Sequence, residues 1–266
     1  MSKVLMGLRS KNDNVKLTED FLKDEEYIQL NLKNENLACI FPARTGINRI
    51  FKDVILQEDN KNIIVFDVNS SLLNKTAPQK LYNGYEIVCI SDNQTDKEKE
   101  EAIINIIKAK KFVIYLDMRK KDIFKFGEKP ILKFLFEKVK DFNLLTIIDE
   151  TQALLNTGML FLKELSECKN NQIIFRFQDE GQFSLKAYSE VEIKKMKVAG
   201  LEIDILSDFY KKINVLEIPN KMEQEGNKNV KVLLLDKYSF KNNKTGKSLM
   251  LTAPNIYEVT KYLERY

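Results

Sequence analysis

The sequence predicts an α/β protein in which a mostly parallel central sheet is flanked by helices. Short apolar runs rich in isoleucine, valine and phenylalanine recur along the chain, separated by segments with helical spacing, as is typical of buried parallel strands joined by helices. Of the 266 residues, 44% are hydrophobic and 31% are charged, which supplies the core of one large or two small domains. A disordered chain is excluded, and no stretch approaches the ~18 apolar residues of a membrane-spanning helix.

Six strands of the parallel sheet are predicted from apolar runs that end in polar residues. Several are followed by residues that start helices, as expected when the carboxyl ends of strands carry functional loops. The predicted strands are Leu37 to Phe41, Asn62 to Asp67, Glu86 to Ile90, Phe112 to Asp117, Leu144 to Asp149 and Gln172 to Phe177.

Helices are predicted between and after these strands. The segment Asp92 to Lys111 places acids before its apolar residues and lysines after them, which suits the helix dipole. Pro130 can begin a helix whose apolar stripe extends to Val139. Further helices are predicted over Met159 to Leu165 and Phe183 to Met196.

The last third of the chain contains polar segments that predict a linker and a turn. Asn220 to Asn229 (NKMEQEGNKN) is the most linker-like stretch. Asn242 to Gly246 (NNKTG) predicts a turn between two late strands, Val230 to Asp236 and Ser248 to Thr252. No internal repeat is present, so we expect a single domain over residues 1–266.

The composition excludes several classes of chemistry and indicates a cytoplasmic location. The chain has no histidine, so it cannot build a Ser-His-Asp triad, a Cys-His pair or a histidine-ligated zinc site. Cys39, Cys89 and Cys168 are flanked by apolar residues, which favours buried thiols in a reducing compartment. The net charge of +4 is spread along the chain, so charge alone does not predict a nucleic-acid partner.

The first predicted strand leads into a segment, Phe41-Pro42-Ala43-Arg44-Thr45-Gly46-Ile47-Asn48, placed where a phosphate-binding loop lies in nucleotide-binding α/β proteins. The working motif is G-x-x-x-x-G-K-[ST], whose amides, lysine and hydroxyl hold phosphate and magnesium. Only Pro42, Thr45 and Gly46 fit that pattern. Phe41, Ile47 and Asn48 stand at the first glycine, the lysine and the hydroxyl, which leaves Arg44 or Arg49 as the replacement cation.

Polar side chains also follow two later strands. Asp149 and Glu150 end an apolar strand, as do the magnesium-holding and water-polarising carboxylates of a nucleotide hydrolase. The structural alternative is that acids at a strand end simply cap the next element. Gln178 ends the following strand, where an amide could sense a γ-phosphate or could belong to a plain polar loop.

The order of these segments resembles the RecA-like ATPase domain of the TraG/TraD-like type IV coupling proteins, which serve conjugation and secretion. The family's V-V-x-D-P-K-G-E-L strand and loop, its T-A helix and its G-x-x-V strand are similar to residues 64–72, Thr76-Ala77 and residues 84–88. Its L-D-E strand and glutamine motif are similar to Ile148-Asp149-Glu150 and residues 178–183. The resemblance covers most of the chain and implies a RecA-like P-loop NTPase fold.

The departures from this family are systematic. Besides the altered loop, Asn69 stands where the family has a second lysine, and Ser70-Ser71 replace its Gly-Glu. We expect no counterpart of the family's membrane anchor or helical insertion domain, and only Asp92 to Lys111 in the place of the insertion. We therefore expect the pocket to have lost two phosphate-binding cations.

Three hypotheses follow. The first is a catalytically degenerate homologue that binds conjugation or secretion machinery proteins, with DNA or a homo-oligomeric ring as further partners and attachment to the inner face of the membrane only through partners. The second is an active ATPase using ATP and magnesium, with Asp149 as the metal ligand and unusual contacts from Arg44, Arg49 or a neighbouring subunit. The third is a generic α/β protein whose motifs are coincidental.

Overall fold

A mixed sheet of twelve strands runs through the described part of the chain. The computed structural model describes residues 3–8, 21–23, 27–31, 36–42, 45, 47–67, 71–117, 130–149, 151, 168, 170–179, 190, 213–218, 220–225, 228–233 and 237–252. The strands of the sheet are β1 (Lys3–Leu8), β2 (Phe21–Lys23), β3 (Tyr27–Asn31), β4 (Leu37–Ile40), β5 (Asn62–Asp67), β6 (Glu86–Ser91), β7 (Phe112–Asp117), β8 (Leu144–Ile148), β9 (Asn171–Phe177), β10 (Asn214–Glu217), β13 (Lys237–Asn242) and β14 (Ser248–Thr252). A separate antiparallel hairpin joins β11 (Asn220–Glu225) to β12 (Lys228–Leu233).

Seven of these strands are parallel, in the order β10-β4-β9-β8-β5-β7-β6. The antiparallel strands β13, β14, β1, β3 and β2 extend the sheet beyond β10. The prediction of an α/β fold with a mostly parallel sheet flanked by helices is therefore confirmed. The antiparallel extension is an addition to it, and it joins strands from both ends of the described chain.

Helices cover both faces of the parallel strands. They are α1 (Ile47–Gln57), α2 (Ser71–Tyr82), α3 (Asp96–Ile106) and α4 (Pro130–Val139). All six residues of β5 are buried, and its alternate side chains serve two cores: Ile63 and Val65 belong to the cluster of α1 and α2, Ile64 and Phe66 to that of α3 and α4. Each such fully buried apolar side chain contributes about 1.5–3 kcal/mol, which explains why the middle of this strand is apolar on both faces. No described helix is long and apolar enough to cross a membrane.

Most predicted elements that fall on described residues are confirmed. The strands Asn62–Asp67, Phe112–Asp117 and Ser248–Thr252 have the predicted limits, and the other four predicted strands of the parallel set shift by one residue at an end. Strand β10, also parallel, was not predicted. Helices α3 and α4 lie within or match their predicted segments. The helices predicted over 159–165 and 183–196 lie outside the described residues, apart from a helical Glu190.

Two predictions for the last third were wrong. Asn220 to Asn229 is not a linker but forms β11 and the start of β12, paired from Asn220↔Leu233 to Glu225↔Lys228. The second error concerns the partner of β14, which is β13 rather than the strand predicted over 230–236. The turn itself is confirmed at residues 243–245, with Gly246 at φ 71°.

At the amino edge of the sheet, the side chains of Lys80 and Tyr85 close the carboxyl end of helix α1. The side chains of Lys80 and Tyr85 both donate hydrogen bonds to the carbonyl oxygen of Glu58, the residue after α1. These bonds satisfy a carbonyl that the helix end leaves without an intrahelical partner. Lys80 is 0% exposed, and its Nζ lies 4.4 Å from the centroid of the Tyr85 ring. Burial lowers the pKa of Lys80, against the opposing effect of Asp59.

Candidate functional site

The carboxyl ends of the parallel strands bring the predicted site segments to one edge of the sheet. Strand β4 leads to Phe41, β8 to Asp149, and β9 to Gln178. Strand β9 lies between β4 and β8, so the candidate loop and Asp149 are separated by one strand. The predicted turn from strand into helix is present, because β4 ends at Ile40 and α1 begins at Ile47.

The described part of the candidate loop contains a hydrogen bond between two of its own residues. The Thr45 hydroxyl donates a 2.6 Å hydrogen bond to the carbonyl oxygen of Pro42, three residues earlier. This local bond ties the hydroxyl to its own loop. Arg44 and Gly46 lie outside the described residues; Arg49 is in α1, but its side chain is not described.

Ile47, at the position of the phosphate-binding lysine, is part of the hydrophobic core. It is 4% exposed and belongs to the same cluster as Phe41 and Phe51. Phe41, at the position of the motif's first glycine, is fully buried, and its ring centroid lies 5.8 Å from that of Tyr238. Both altered positions are therefore filled by side chains that pack away from water.

Asn48, at the position of the magnesium-binding hydroxyl, contacts the other altered segment. Its Nδ2 donates a 3.0 Å hydrogen bond to Oγ of Ser71, at the start of α2. Ser71 is one of the two serines that replace the Gly-Glu of the resembled family, whereas Asn69 lies outside the described residues. The bond joins the first turns of α1 and α2 directly.

Asp67, at the end of β5, binds the amino end of α2. Its Oδ1 accepts a hydrogen bond from the amide of Ser71 at 3.1 Å, and its Oδ2 accepts from Leu72 and Leu73 at 3.0 and 2.9 Å. Burial raises the pKa of Asp67; the three amide bonds oppose this, and the neighbouring Asp117 adds to it. The carboxylate thus satisfies three helix amides that would otherwise face an external anion.

Asp149 is held in a buried ion pair. The carboxylate is 1% exposed, and its Oδ1 lies 3.0 Å from Nη1 of Arg176, which is 6% exposed. The Arg176 amide also donates to Oγ1 of Thr151 at 3.2 Å, and the Asp149 amide donates to the carbonyl of Phe66 at 3.3 Å. The side chain is therefore fixed from β9, while its backbone pairs with β5.

The positions of the other two predicted catalytic residues are known in part. Glu150 lies outside the described residues. Gln178 follows β9 directly and is exposed.

Sequence reasoning missed Arg176, the residue that contacts Asp149. The segment NQIIFRF contains one arginine inside an otherwise apolar strand, and a buried arginine requires a partner. That pattern was available, but the partner is 27 residues away on another strand. Arg176 is paired in register with Cys39 of β4; burial raises the pKa of the Cys39 thiol, and Arg176 partly offsets the effect.

The donor set does not suit the magnesium ion that the resemblance implies. Magnesium demands octahedral coordination and keeps several waters, usually beside one or two carboxylates. Asp149 is almost completely buried and already bonded to a guanidinium. No group of three or more acidic or cysteine side chains suited to a metal occurs among the residues that the structure describes.

Comparisons with known proteins concern the fold. No protein-family model and no curated protein matches the chain. The genome packaging NTPase from Sulfolobus turreted icosahedral virus 2, solved with sulfate, is 11% identical, with a TM-score of 0.40 over 83% of this chain and 97% of that one. The cytoplasmic domain of EssC is 9% identical, with a TM-score of 0.38 over 100% of this chain and 48% of that one. The α/β class of this chain rests on its own strand order and helices.

Proposed function

We propose that this protein is a non-hydrolysing binding or assembly module built on a RecA-like NTPase scaffold. In this function the carboxyl edge of the sheet holds the scaffold together and presents a fixed surface, and it does not turn over ATP. The proposal follows from the chemistry of ATP hydrolysis. The transition state of phosphoryl transfer is stabilised almost entirely by positioning of the reacting groups and by cations on the phosphate oxygens.

The burial of Ile47 is the observation that carries the proposal. A lysine at this position would have to reach into the phosphate site, whereas Ile47 is 4% exposed among the apolar side chains of α1. At this position the side chain packs in the core, whereas the lysine of the resembled family binds phosphate. A cation supplied from another residue would have to bind phosphate beside this buried part of the loop.

The contact between Asn48 and Ser71 supports the same conclusion. A magnesium-binding hydroxyl is replaced by an amide that donates to Ser71 at 3.0 Å. The first turns of α1 and α2 are thereby linked to each other. In an NTPase of the resembled type, these two segments would instead bind the nucleotide.

The class of partner is proposed from the resemblance to coupling proteins. We assign as partner a protein of a conjugation or secretion machinery, which would bring the module to the cytoplasmic side of the membrane. We also propose that residues 1–266 work as one domain, because β1, β4, β10 and β14 belong to one sheet. DNA and a second copy of the chain remain the other partners to be tested.

Phosphate release from ATP tests the proposal. We expect the wild-type protein with magnesium to release no more phosphate than the Glu150→Gln variant, at low and at high protein concentration. Magnesium-dependent release that disappears in Glu150→Gln would establish an ATPase instead. In that case, loss of release in Arg44→Ala or Arg49→Ala, with an unchanged thermal midpoint, would identify the replacement cation.

A further inference from the structure

Arg176 and Asp149 place a positive charge where the resembled family would place a metal ion. The guanidinium reaches from β9, the strand between the candidate loop and β8, and its Nη1 lies 3.0 Å from Oδ1 of Asp149. Both side chains are more than nine-tenths buried. The distance is that of a charge-assisted hydrogen bond, and low local polarity strengthens such bonds.

A divalent ion at this carboxylate would have to compete with the guanidinium that already contacts Oδ1 of Asp149. The two cations would stand on the same carboxylate group, where like charges repel strongly because burial limits solvent screening. Magnesium would also bring waters to a side chain that is 1% exposed. The ion pair and the burial thus oppose metal binding for a reason independent of the candidate loop.

We propose that Arg176 is a built-in substitute for the divalent cation, so that the Asp149 site is independent of metal. Arg176 is a positioning residue in this scheme: it neutralises Asp149 and fixes the ends of β8 and β9. Thr151 takes part as well, because its Oγ1 accepts the Arg176 amide at 3.2 Å. This inference deepens the proposed function and rests on it, with Asp149 in the site as the resemblance implies, but it is tested with metal ions alone.

The main experiment asks whether a metal ion can replace the guanidinium. Thermal midpoints are measured with and without millimolar MnCl2 for the wild type, Arg176→Gln and the double variant Arg176→Gln/Asp149→Asn. We expect no manganese effect on the wild type. We expect Arg176→Gln to melt at a lower temperature, because the buried Asp149 carboxylate then loses the positive charge of the guanidinium. Manganese should restore part of the lost stability by supplying that charge. The double variant should show no recovery.

A matched control removes another buried cation. Lys80 is 0% exposed at the opposite edge of the sheet and lies 3.4 Å from Oδ1 of Asp59. Lys80→Gln should therefore lower the thermal midpoint without any recovery in manganese. If Arg176→Gln also fails to recover, or if Lys80→Gln recovers equally, Arg176 is an ordinary structural arginine and the proposal is wrong.

A second measurement covers the case in which Arg176→Gln does not fold. Manganese binding to the folded wild type is then measured by electron paramagnetic resonance, with Asp149→Asn as the comparison. The proposal predicts no bound manganese that depends on Asp149. Stoichiometric binding that disappears in Asp149→Asn would overturn it. A protein that hydrolyses ATP but binds no manganese alone would contradict the proposed function and leave this inference standing.

Discussion

At the scale of single residues, the site depends on where a few side chains are buried. In the resembled family, the residue at the position of Ile47 is a lysine that binds phosphate, and the residues at the positions of Asn48 and Asp149 bind magnesium. In this chain their contacts are with the core, with Ser71 and with Arg176, respectively. Ile47 is thus occupied by packing, and the polar groups of Asn48 and Asp149 have partners within the protein.

Replacing Ile47 with lysine should destabilise the protein without giving it activity. A buried ammonium has no partner in the apolar cluster, so we expect the free energy of unfolding to fall by roughly 2–4 kcal/mol. Ile47→Val is the matched control and should cost about 1 kcal/mol. Urea denaturation measures both, and phosphate release is assayed in parallel. An Ile47→Lys variant that is as stable as the wild type and hydrolyses ATP would show that this side chain can reach the phosphate site.

Lys80 should make the stability of the protein depend on pH in the alkaline range. Burial lowers its pKa in the folded state below 10.5, the ordinary value of a lysine. Between the lowered value and 10.5 the unfolded chain binds more protons, so stability rises with pH through this window. The free energy of unfolding of the wild type minus that of Lys80→Met should therefore increase from pH 8 toward pH 10.5.

The control for this prediction is Lys75→Met, which removes an exposed lysine from the same helix. Its difference from the wild type should stay level over the same range. A flat difference for Lys80→Met would mean that Lys80 is as well solvated in the folded protein as in the unfolded one.

At the scale of elements, the ends of α2 are set by two specific groups. Asp67 binds the amides of the first turn, and Gly84 ends the helix with a φ of +80°. The amide of Gly84 donates to Leu81, and that of Tyr85 to Lys80, which closes the last turn. Tyr85 is thereby placed over the end of α1.

Gly84→Ala should test this helix end. A Cβ at Gly84 would meet nothing within 4 Å, so the cost is that of the left-handed backbone alone, about 1 kcal/mol. Gly84→Asn should cost less, because asparagine tolerates this conformation. Thermal or urea unfolding measures both. Equal stability of Gly84→Ala and the wild type would show that the turn relaxes to another conformation.

How much the sequence predicts depends on whether the pattern that specifies an element is local. The strand Asn62–Asp67 is predictable because four consecutive apolar residues lie between Asn62 and Asp67. The β11–β12 hairpin was mistaken for a linker because Lys221 to Glu225 are all exposed, which makes a strand as polar as a loop. The Gly226-Asn227 pair, typical of a tight hairpin turn, was the overlooked pattern.

The site was less predictable than the fold, because its contacts cross between strands. Composition and spacing locate Asp149 at a strand end and Ile47 at the start of a helix. They do not specify that β9 lies between β4 and β8, and so they do not bring Arg176 to Asp149. Which strands lie next to each other depends on the packing of the whole sheet.

At the scale of the whole molecule, the sheet joins the two ends of the described chain around the candidate site. Strand β10 pairs with β4 on the side opposite β9, and β13, β14 and β1 continue from it. The strand that leads to the candidate loop is thus enclosed on both sides. Two hydrophobic cores, one on each face of the parallel strands, hold this scaffold together.

We propose that this scaffold does not bind a nucleoside triphosphate. Isothermal titration of the wild-type protein with ATP, with and without magnesium, measures such binding. We predict no heat of binding above dilution up to millimolar ATP in either condition. Saturable binding that requires magnesium and is lost in Asp149→Asn would contradict the claim, because it would place a metal-bound nucleotide on the carboxylate that Arg176 occupies.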